Sequence, residues 1–562
     1  MTNSAELTQT TRRRDARWRQ RLPDWLAVTA ACVFVFLAAY RIELPGLEFD
    51  EIIFVLPAVG DPAPGYYGVY LGSVPILIFP YMGALKSWIY APVFHLFGVS
   101  ALTIRLPIIL IAAVTLLIFY SAMRGKLGAV WAAVAVWVMA IDPANIFPNK
   151  LDYGPTALTH VFQAAILALW FSYRDGPKLW KVGLISICCV LGFFDRFNFI
   201  WLVGAFVVGI SLCYPDSVKG LWVSSPKFVR WLTIIVALIA LSVAMHLILP
   251  LIQTRPPGTF TWHLKQSWNE LQITLSGRAM AAYTFESEAG MIYRIPFWLI
   301  AAAACLALAC LLLPISNAQA RENRKSGFFC LLIGLLIYVQ ILITPQAVGP
   351  HHHLMIFPLP ILAFAFLARS LYDHFRSLKL SALVVVTAGA AAAAAISLFL
   401  VNVNNTMVYL SHFRNNLHYT AIWSPEIYSL SRYINEHGFE SKRITFADCC
   451  VGLTVRTLAP KKLRRRIRDF WPLFKELPRN PEDQNTLLRN IFPEGKTFVV
   501  TFDASKETFP ETRRNFIALL AAHPELNSRL VKEFWYGGEK TYELYEVLRS
   551  PDGVVPIREQ RN

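Results

Sequence analysis

The sequence predicts a polytopic α-helical membrane protein with a small α/β domain at its C-terminal end. Of its 562 residues, 55% are hydrophobic and only 16% are charged, and the mean hydropathy is +0.44. Repeated runs of ~18–22 apolar residues have the length that a helix needs to cross ~30 Å of hydrocarbon. The last stretch, residues 403–562, is polar and charged. These features exclude an ordinary soluble globular protein.

About eleven membrane spans are predicted from the apolar runs. They are Trp25–Tyr40, Ser100–Met123, Ala129–Ile141, Thr156–Tyr173, Val182–Phe194, Phe199–Cys213, Trp231–Leu251, Pro296–Leu313, Phe328–Thr344, Leu354–Ala368 and Ala382–Val401. The stretch from Pro75 to Phe97 is also apolar and aromatic, but Pro80 and Lys86 interrupt it. It therefore predicts helices that lie at the membrane interface.

The net charge of +16 is distributed as the positive-inside rule requires, so it does not indicate nucleic-acid binding. Basic residues fill alternate loops. They are the N-terminal cluster Arg12–Arg21, Arg124/Lys126, Arg174/Lys178/Lys181, Lys219/Lys227/Arg230, Arg321/Arg324/Lys325 and Arg369/Arg376/Lys379. The agreement of six segments predicts a cytoplasmic N-terminus. The loop after the first span, the Asn149–Tyr153 segment, the Gln253–Tyr293 loop and the C-terminal tail then lie outside.

The C-terminal tail carries the patterns of a mixed domain. Pro425–His437 has the apolar spacing of a helix, whereas Arg443–Ala447 and Thr497–Phe502 resemble short strands. Glu533–Val547 predicts a hairpin that turns at Gly537-Gly538.

The nine cysteines do not predict a disulfide framework. Seven lie in apolar runs, where a thiol behaves as a small hydrophobic group. Cys449 and Cys450 are neighbours, and adjacent residues are poorly placed to bridge each other, so we expect them not to be bonded.

Polar residues near the membrane converge on the predicted outer face. Carboxylates stand beside cations and imidazoles, a combination that suits transfer from an anionic donor held in the membrane, because a carboxylate serves as base while cations hold the phosphate charge. The residues are Asp50, Glu51, Lys150, Asp152, Asp195, Arg196, Arg255, His263, Lys265, Arg278 and His351–His353.

Several ordered segments resemble the GT-C glycosyltransferases, in particular the bacterial relatives of dolichyl-phosphate-mannose–protein mannosyltransferases and the lipid A aminoarabinose transferases. The resemblance covers roughly the first 400 residues. The segments are Glu48-Phe49-Asp50-Glu51, Pro80–Trp88, Phe97–Ser100 with Arg105-Leu106-Pro107, Leu151–Pro155, and His351–Leu354 leading into Pro358-Leu359-Pro360. The histidine triplet stands where relatives often carry Arg-Tyr, which is a departure from the family pattern.

The resemblance implies a membrane glycosyltransferase that moves a sugar from a polyprenyl-phosphate donor to an acceptor hydroxyl with inversion. The acceptor is a protein, a glycan or a lipid, and the setting is a bacterial inner membrane. The implied organisation is a basic cytoplasmic tail (1–24), a transmembrane glycosyltransferase domain (25–402) with an acidic outer loop (42–99), and an extracytoplasmic α/β domain (403–562).

Within this reaction, Asp50 is the expected general base, because inversion needs a base on the face opposite the leaving group. Glu51 and Asp152 are the other expected catalytic residues, and Glu48 is expected to be dispensable. Nine residues are expected to bind substrate: Lys86, Tyr81, Lys150, Tyr153, Arg196, Arg255, His351, His352 and His353.

No metal site is assigned. Adjacent histidines on a helix point about 100° apart and rarely chelate one ion together. A divalent metal nevertheless stays open as a cofactor.

Simpler interpretations exist for the same residues. Asp50, Glu51 and Asp152 can be helix-end carboxylates that face water, Asp195–Arg196 a local ion pair, and Lys86 an interfacial anchor. At the level of the whole protein, the alternatives are a transporter and a non-catalytic membrane scaffold. A transporter predicts internal repeats and charges at mid-membrane, and neither is apparent in the sequence.

Overall fold

The computed structural model describes residues 3–61, 68–228, 230–231, 242, 259–286, 290–291, 295–344, 347, 349–415, 418–477 and 488–549. Arg255 and most of the predicted span Trp231–Leu251 lie outside these residues. The chain divides into two compact units. The first unit comprises Met1–Tyr40, Ile108–Met280 and Ala289–Tyr409. The second unit comprises Arg41–Pro107, Ala281–Glu288 and Leu410–Asn562.

Most of the chain before residue 415 is helical. The helices are α1 (Asn3–Ala39), α2 (Phe49–Ile52), α3 (Val55–Ala58), α4 (Leu85–Phe97), α5 (Ala101–Leu127), α6 (Ala129–Ala140), α7 (Pro143–Leu151), α8 (Ala157–Asp175), α9 (Leu179–Asp195), α10 (Ile200–Cys213), α11 (Pro215–Ser224), α12 (Thr259–Leu275), α13 (Ala279–Thr284), α14 (Ile295–Leu312), α15 (Ala318–Ile343), α16 (Pro350–His353), α17 (Pro358–Ser377) and α18 (Ser381–Arg414). Short 3₁₀ turns at Phe197–Phe199 and Leu354–Ile356 precede α10 and α17.

Several of these helices are long and apolar enough to cross a bilayer. In the described part of the chain there are five: Arg21–Ala39, Ala101–Leu127, Ala318–Ile343, Pro350–Ser377 and Ser381–Arg414. Two bent pairs, α6 with α7 (57°) and Phe197–Cys213 with α11 (101°), raise the number to seven if each pair is one span. The chain is a multi-pass membrane protein, and the number of eleven spans stays a prediction.

Aromatic packing fills the centre of the first unit. The Phe329 side chain on α15 is fully buried, and its ring lies 5.4–6.4 Å from the rings of Phe171, Phe206 and Tyr214. These partners come from α8, α10 and the residue before α11. Edge-to-face contacts of this kind add to the burial of apolar area, so they fix how α15 packs against the helices around it.

The acidic outer loop contains a small sheet that the sequence did not predict. Strands β1 (Val69–Leu71), β2 (Val74–Phe79) and β3 (Met82–Gly83) pair antiparallel in the order β1-β2-β3. The prediction of interfacial helices over Pro75–Phe97 is therefore wrong for residues 75–83, which form strands. The part from Leu85 to Phe97 is a helix, α4, as predicted. The aliphatic and β-branched run of β2, ended by Pro80, favours a strand.

The C-terminal part of the second unit is a mixed α/β domain. Its strands are β4 (Arg443–Phe446), β5 (Ile467–Asp469), β6 (Gly495–Phe502), β7 (Leu526–Tyr536) and β8 (Glu539–Arg549), and its helices are α19 (Ile427–His437), α20 (Gly452–Leu458), α21 (Lys461–Arg464), α22 (Trp471–Lys475) and α23 (Pro510–Ala522). The sheet order is β5-β4-β6-β8-β7. β4 pairs parallel with β5 and β6, whereas β8 pairs antiparallel with β6 and β7. The predicted strands, helix and hairpin are confirmed here.

Both faces of this sheet are covered. Phe498, Val500 and Phe502 of β6 point into one core with α19, while Val499 points into a second core with Phe516 of α23. This alternation follows from the two-residue period of a strand. A strand that is buried on both faces reads as a continuous apolar run, as Phe498–Val500 does.

Cys449 and Cys450 are joined by a disulfide bond, so the prediction that they are not bonded is wrong. Cys450 has a φ of 74°, in the left-handed region that side chains rarely adopt. The disulfide thus coincides with an unusual backbone conformation. Sequence adjacency alone did not reveal it.

The acidic loop and the α/β domain belong to the same unit. Asp61 forms ion pairs with Arg456 on α20 (3.1 Å) and with Arg464 on α21 (3.7 Å). The backbones also meet, since Gly46 N donates to the Trp423 carbonyl at 2.8 Å. The loop therefore has a fixed tertiary partner 300 and more residues away in the sequence.

We expect the stability of the α/β domain to depend on pH through Asp469, which ends β5. Burial raises the pKa of this carboxyl from 3.8 to about 7, and the charge of Asp448 adds to the shift. Because the folded state holds the proton more tightly, the free energy of unfolding falls as pH rises from 3.8 to about 7. Asp469→Asn should therefore raise the unfolding temperature at pH 8 by about 2–8 °C, with little change at pH 4.

Asp503 supplies a control of opposite sign. Although partial burial opposes it, hydrogen bonds from Ser505 and the Lys540 ammonium lower the pKa of Asp503. Asp503→Asn should reduce stability at pH 8 and spare it at low pH. Tryptophan fluorescence of the full chain in detergent measures both, and equal shifts for the two variants would contradict the assignment.

Candidate functional site

The predicted site residues that the structure describes fall into two groups, one in each unit. Asp50, Glu51, Lys86 and Tyr81 lie in the second unit. Lys150, Asp152, Tyr153, Arg196 and His351–His353 lie in the first unit. Each group is held by its own network of contacts.

In the second unit, the acidic segment is a short helix with a reciprocal cap. The Glu48 carboxylate accepts a hydrogen bond from the backbone N–H of Asp50 (2.8 Å), and Glu51 accepts one from the backbone N–H of Glu48 (3.0 Å). This arrangement satisfies N–H groups that a helix start leaves without helical partners. Glu48 is therefore the cap of α2, a structural role that the sequence did not predict.

Glu51 lies at the centre of a buried ion pair with Arg105 of α5. The Arg105 Nε donates to Glu51 Oε2 at 2.8 Å and its Nη2 to Glu51 Oε1 at 2.5 Å, with both side chains 1% exposed. The guanidinium also donates to the carbonyls of Ile42, Pro45 and Gly46 at 2.7–3.3 Å. Arg105 thus links Glu51 to the residues that precede the acidic segment.

Because of this ion pair, Glu51 and Asp50 have different surroundings. Both oxygens of Glu51 are engaged by Arg105, whereas Asp50 is half-buried at the first turn of α2. Burial, and then the charge of Asp50, raise the pKa of Glu48 well above its usual value. Burial thus favours the neutral form of the Glu48 carboxyl. Asp50 as the general base stays a prediction.

The other two predicted residues of this unit differ from each other in environment. Lys86 is fully buried, and its ammonium lies 4.3 Å from the centre of the Phe54 ring and 5.5 Å from that of Tyr90. Aromatic faces stabilise a desolvated cation. Tyr81 is 55% exposed and stacks on Phe79, with the ring centres 5.6 Å apart.

In the first unit, three segments that are far apart in sequence meet at Gly154. The Arg196 guanidinium, which follows α9, donates to the Gly154 carbonyl. A side chain at position 154 would place its Cβ 2.4 Å from the Cβ of His351, and Gly154 has a φ of +63°. Only glycine allows both this conformation and this approach. The Tyr153 ring meets the His351 ring edge-on, at 5.4 Å.

Helix α7 positions the Lys150–Tyr153 segment. Its N-cap Asp142 accepts from the backbone N–H of Ala144 at 2.8 Å. At the other end, Lys150 is fully buried and donates to the Tyr40 carbonyl at 2.7 Å. Asp152 is 3% exposed, adopts a left-handed conformation (φ 46°) and accepts from the backbone N–H of Ala157 at 3.1 Å. Part of its role is therefore to connect α7 to α8.

The three histidines of α16 face three different neighbours. His351 lies against Tyr153, and His352 contacts the Asn198 amide at 3.2 Å. His353 bonds with the Ser267 hydroxyl of α12 at 3.0 Å and with the Gly349 carbonyl at 3.2 Å. Ring nitrogens of His352 and His353 thus bond to separate partners, whereas His351 contacts Tyr153 through its ring. Separate partners are the behaviour expected for adjacent helical positions.

Arg105 and Ser267 are the residues that sequence reasoning missed. Arg105 was part of the Arg105-Leu106-Pro107 pattern, but nothing in the sequence assigned it a partner. The signal was the presence of an arginine within an apolar helix, because a buried cation in such a place needs a carboxylate. Ser267 lies in the segment that the sequence predicted as the Gln253–Tyr293 loop, and the structure shows it on α12. That part of the sequence gave no pattern that pointed to Ser267.

We expect Glu51→Gln to destabilise the second unit by about 3–5 kcal/mol, since it leaves the Arg105 cation buried without a counter-charge. The double variant Glu51→Leu/Arg105→Met should recover much of this loss, because no buried charge remains. Arg529→Met is the control: Arg529 is 72% exposed in its pair with Glu546, so the change should cost about 0–1 kcal/mol. Denaturant unfolding in detergent checks the order, and a Glu51→Gln variant as stable as the control would refute it.

Searches against protein-family models and against curated proteins found no match to the sequence. Among solved structures, ArnT from Cupriavidus metallidurans bound to undecaprenyl phosphate is similar over 92% of this chain and 97% of its own, with 14% identity and a TM-score of 0.53. ArnT in the apo state (13% identity, 92% and 97% coverage, TM-score 0.48) also matches. So does the oligosaccharyltransferase AglB from Archaeoglobus fulgidus, in complex with an inhibitory peptide and a dolichol-phosphate (10% identity, 96% and 75% coverage, TM-score 0.48).

The likeness to the undecaprenyl-phosphate-bound ArnT extends over nearly the whole of both chains. ArnT, a lipid A aminoarabinose transferase, has the GT-C fold. The resemblance inferred from the ordered sequence segments is thereby confirmed at the level of the fold: this chain is a multi-pass membrane protein of the GT-C fold.

Proposed function

We propose that the protein is an inverting glycosyltransferase that moves a sugar from a polyprenyl-phosphate donor to an acceptor hydroxyl at the outer face of a bacterial inner membrane. A fold hosts many activities, so the proposal rests on the site. The observation that supports it is the acidic segment, in which the buried pair with Arg105 commits Glu51 to holding α2, the helix whose first turn carries Asp50. The cytoplasmic N-terminus and the extracytoplasmic α/β domain follow from the distribution of basic loops.

In this reaction Asp50 takes the proton of the acceptor hydroxyl. The hydroxyl oxygen forms the new bond to the anomeric carbon as the bond to the phosphate oxygen breaks, and the polyprenyl phosphate leaves with the bonding pair. A phosphate is a good leaving group, so the step needs no general acid. Glu51 positions the segment through Arg105, and the acceptor is a protein, a glycan or a lipid.

The first-unit residues are assigned to the donor. Arg196 offers several N–H groups in a planar fork, the arrangement that suits phosphate oxygens. His351 and Tyr153 lie at the Gly154 turn, and His352 and Lys150 are assigned to the donor from the sequence. Asp152 binds sugar hydroxyls. Lys86, Arg255 and Tyr81 are kept from the sequence as substrate contacts. A divalent metal stays open as a cofactor.

We expect Asp50→Asn to lower kcat by about 10²–10⁴-fold, the usual contribution of a general base, with little effect on the unfolding temperature. The assay is transfer of radiolabelled sugar from a polyprenyl-phosphate sugar by the purified full chain. Asp216→Asn is the matched control, since Asp216 is an exposed carboxylate in the first turn of α11. Full activity of Asp50→Asn would reject the base assignment and favour a non-catalytic scaffold.

Arg196→Ala should raise KM for the donor by about 10–100-fold, because one hydrogen-bonded charge contact to the phosphate is lost. Arg196→Lys keeps the charge but not the fork, so its effect should be intermediate. Arg174→Lys, at an arginine paired with Glu322, serves as the control. An unchanged donor KM in Arg196→Ala would remove Arg196 from the donor site.

A further inference from the structure

A second cluster of chemically active side chains lies in the second unit, apart from the acidic segment in sequence. It comprises Glu286 after α13, His418 after α18, and Glu539 at the start of β8. One ligand atom from each, the histidine ring nitrogen and a carboxylate oxygen from either glutamate, lies within 4.8 Å of the other two. This spacing is close enough for all three to reach a single ion.

Backbone contacts hold two of these ligands in place. Phe285 and Tyr419 form an antiparallel bridge, and Glu286 N donates to the His418 carbonyl at 3.2 Å. Thr420 N donates to the Thr284 carbonyl at 3.1 Å. The residues after α13 and those after α18 thus form a short ladder, which carries Glu286 on one side and His418 on the other.

The ammonium of Lys506 already lies between the carboxylates. Its Nζ is 2.5 Å from Glu286 Oε1 and 2.5 Å from Glu539 Oε2, and it donates to the Tyr419 carbonyl at 3.4 Å. The Lys506 side chain is 7% exposed, whereas His418 is 55% exposed and in direct contact with Glu539. The space between the Glu286 and Glu539 carboxylates therefore holds a cation, the Lys506 ammonium. The His418 imidazole beside it could bind a metal ion but contributes nothing to binding an ammonium.

We propose that Glu286, His418 and Glu539 form a binding site for a divalent transition-metal ion such as Zn²⁺, with Lys506 as a built-in competing cation. Imidazole nitrogen suits Zn²⁺ and other transition-metal ions, and carboxylate oxygens are also zinc ligands. The exposed faces of His418 and Glu286 give the ion access, and the flexible lysine side chain can move aside. The metal links the Ala281–Glu288 segment to the α/β domain, so its role is structural. This site is independent of the proposed transferase activity.

The test uses the full chain in detergent, stripped of metal with a chelator and titrated with ZnCl₂ by calorimetry and by thermal unfolding. One equivalent of Zn²⁺ should bind and raise the unfolding temperature. Glu286→Gln and His418→Ala should each weaken binding by at least about 10–100-fold, because losing a direct ligand costs no less than losing a group that supports one. Lys506→Met should strengthen Zn²⁺ binding by about tenfold, because the ammonium no longer competes with the ion for the two carboxylates.

Lys496→Met is the matched control for Lys506→Met. Lys496 also bridges two carboxylates, Glu440 at 3.1 Å and Glu546 at 2.7 Å. The contacts of Lys496 include no histidine, so this variant should bind Zn²⁺ as the wild type does. The proposal is overturned if wild type and the two ligand variants bind alike, if Lys506→Met gains no more than Lys496→Met, or if no binding is measured. Unfolding temperatures measured without metal identify any variant that fails to fold. In that case the Zn²⁺ binding of Glu286→Gln, the mildest change, decides between the two outcomes.

Discussion

The buried ion pair between Glu51 and Arg105 is the interaction on which the acidic segment depends. Two charges removed from water are costly unless further hydrogen bonds satisfy them. Here the remaining N–H groups of the guanidinium find the carbonyls of Ile42, Pro45 and Gly46. The pair therefore does more than neutralise charge. It also ties α2, through Glu51, to the residues that precede the helix.

At Gly154, too, a few contacts bring distant parts of the chain together. One turn, possible because position 154 has no side chain, lets Arg196 reach a carbonyl and lets His351 approach the backbone. The segments that follow α7 and α9 are thereby brought to α16. In both groups a backbone carbonyl accepts from an arginine, so the loop conformation and the position of the cation depend on each other.

Sequence reasoning reached the fold class, and named the residues of the candidate site, because both depend on local patterns. Apolar runs, basic loops and the short strand-like run Thr497–Phe502 each reflect one element at a time. It failed where the cause was tertiary. The sheet β1–β3 exists through pairing, the Glu51–Arg105 pair joins residues 54 positions apart, and the Cys449–Cys450 bond coincides with a left-handed backbone at Cys450. Glu48 illustrates the same limit, since its cap is visible only when Asp50 and Glu51 are placed in space.

The acidic loop shares its compact unit with a domain that begins more than 300 residues later, and this has a consequence for biosynthesis. During translation, Arg105 follows Glu51 closely, so their ion pair can form early. The partners of Asp61, Arg456 and Arg464, leave the ribosome only near the end of synthesis. Contacts between such distant residues are slow to form. Until then the loop has only contacts made within the first part of the chain, such as the Glu51–Arg105 pair and Lys86 on the Phe54 ring. A chain truncated before residue 456 would keep these contacts and lack the ion pairs of Asp61.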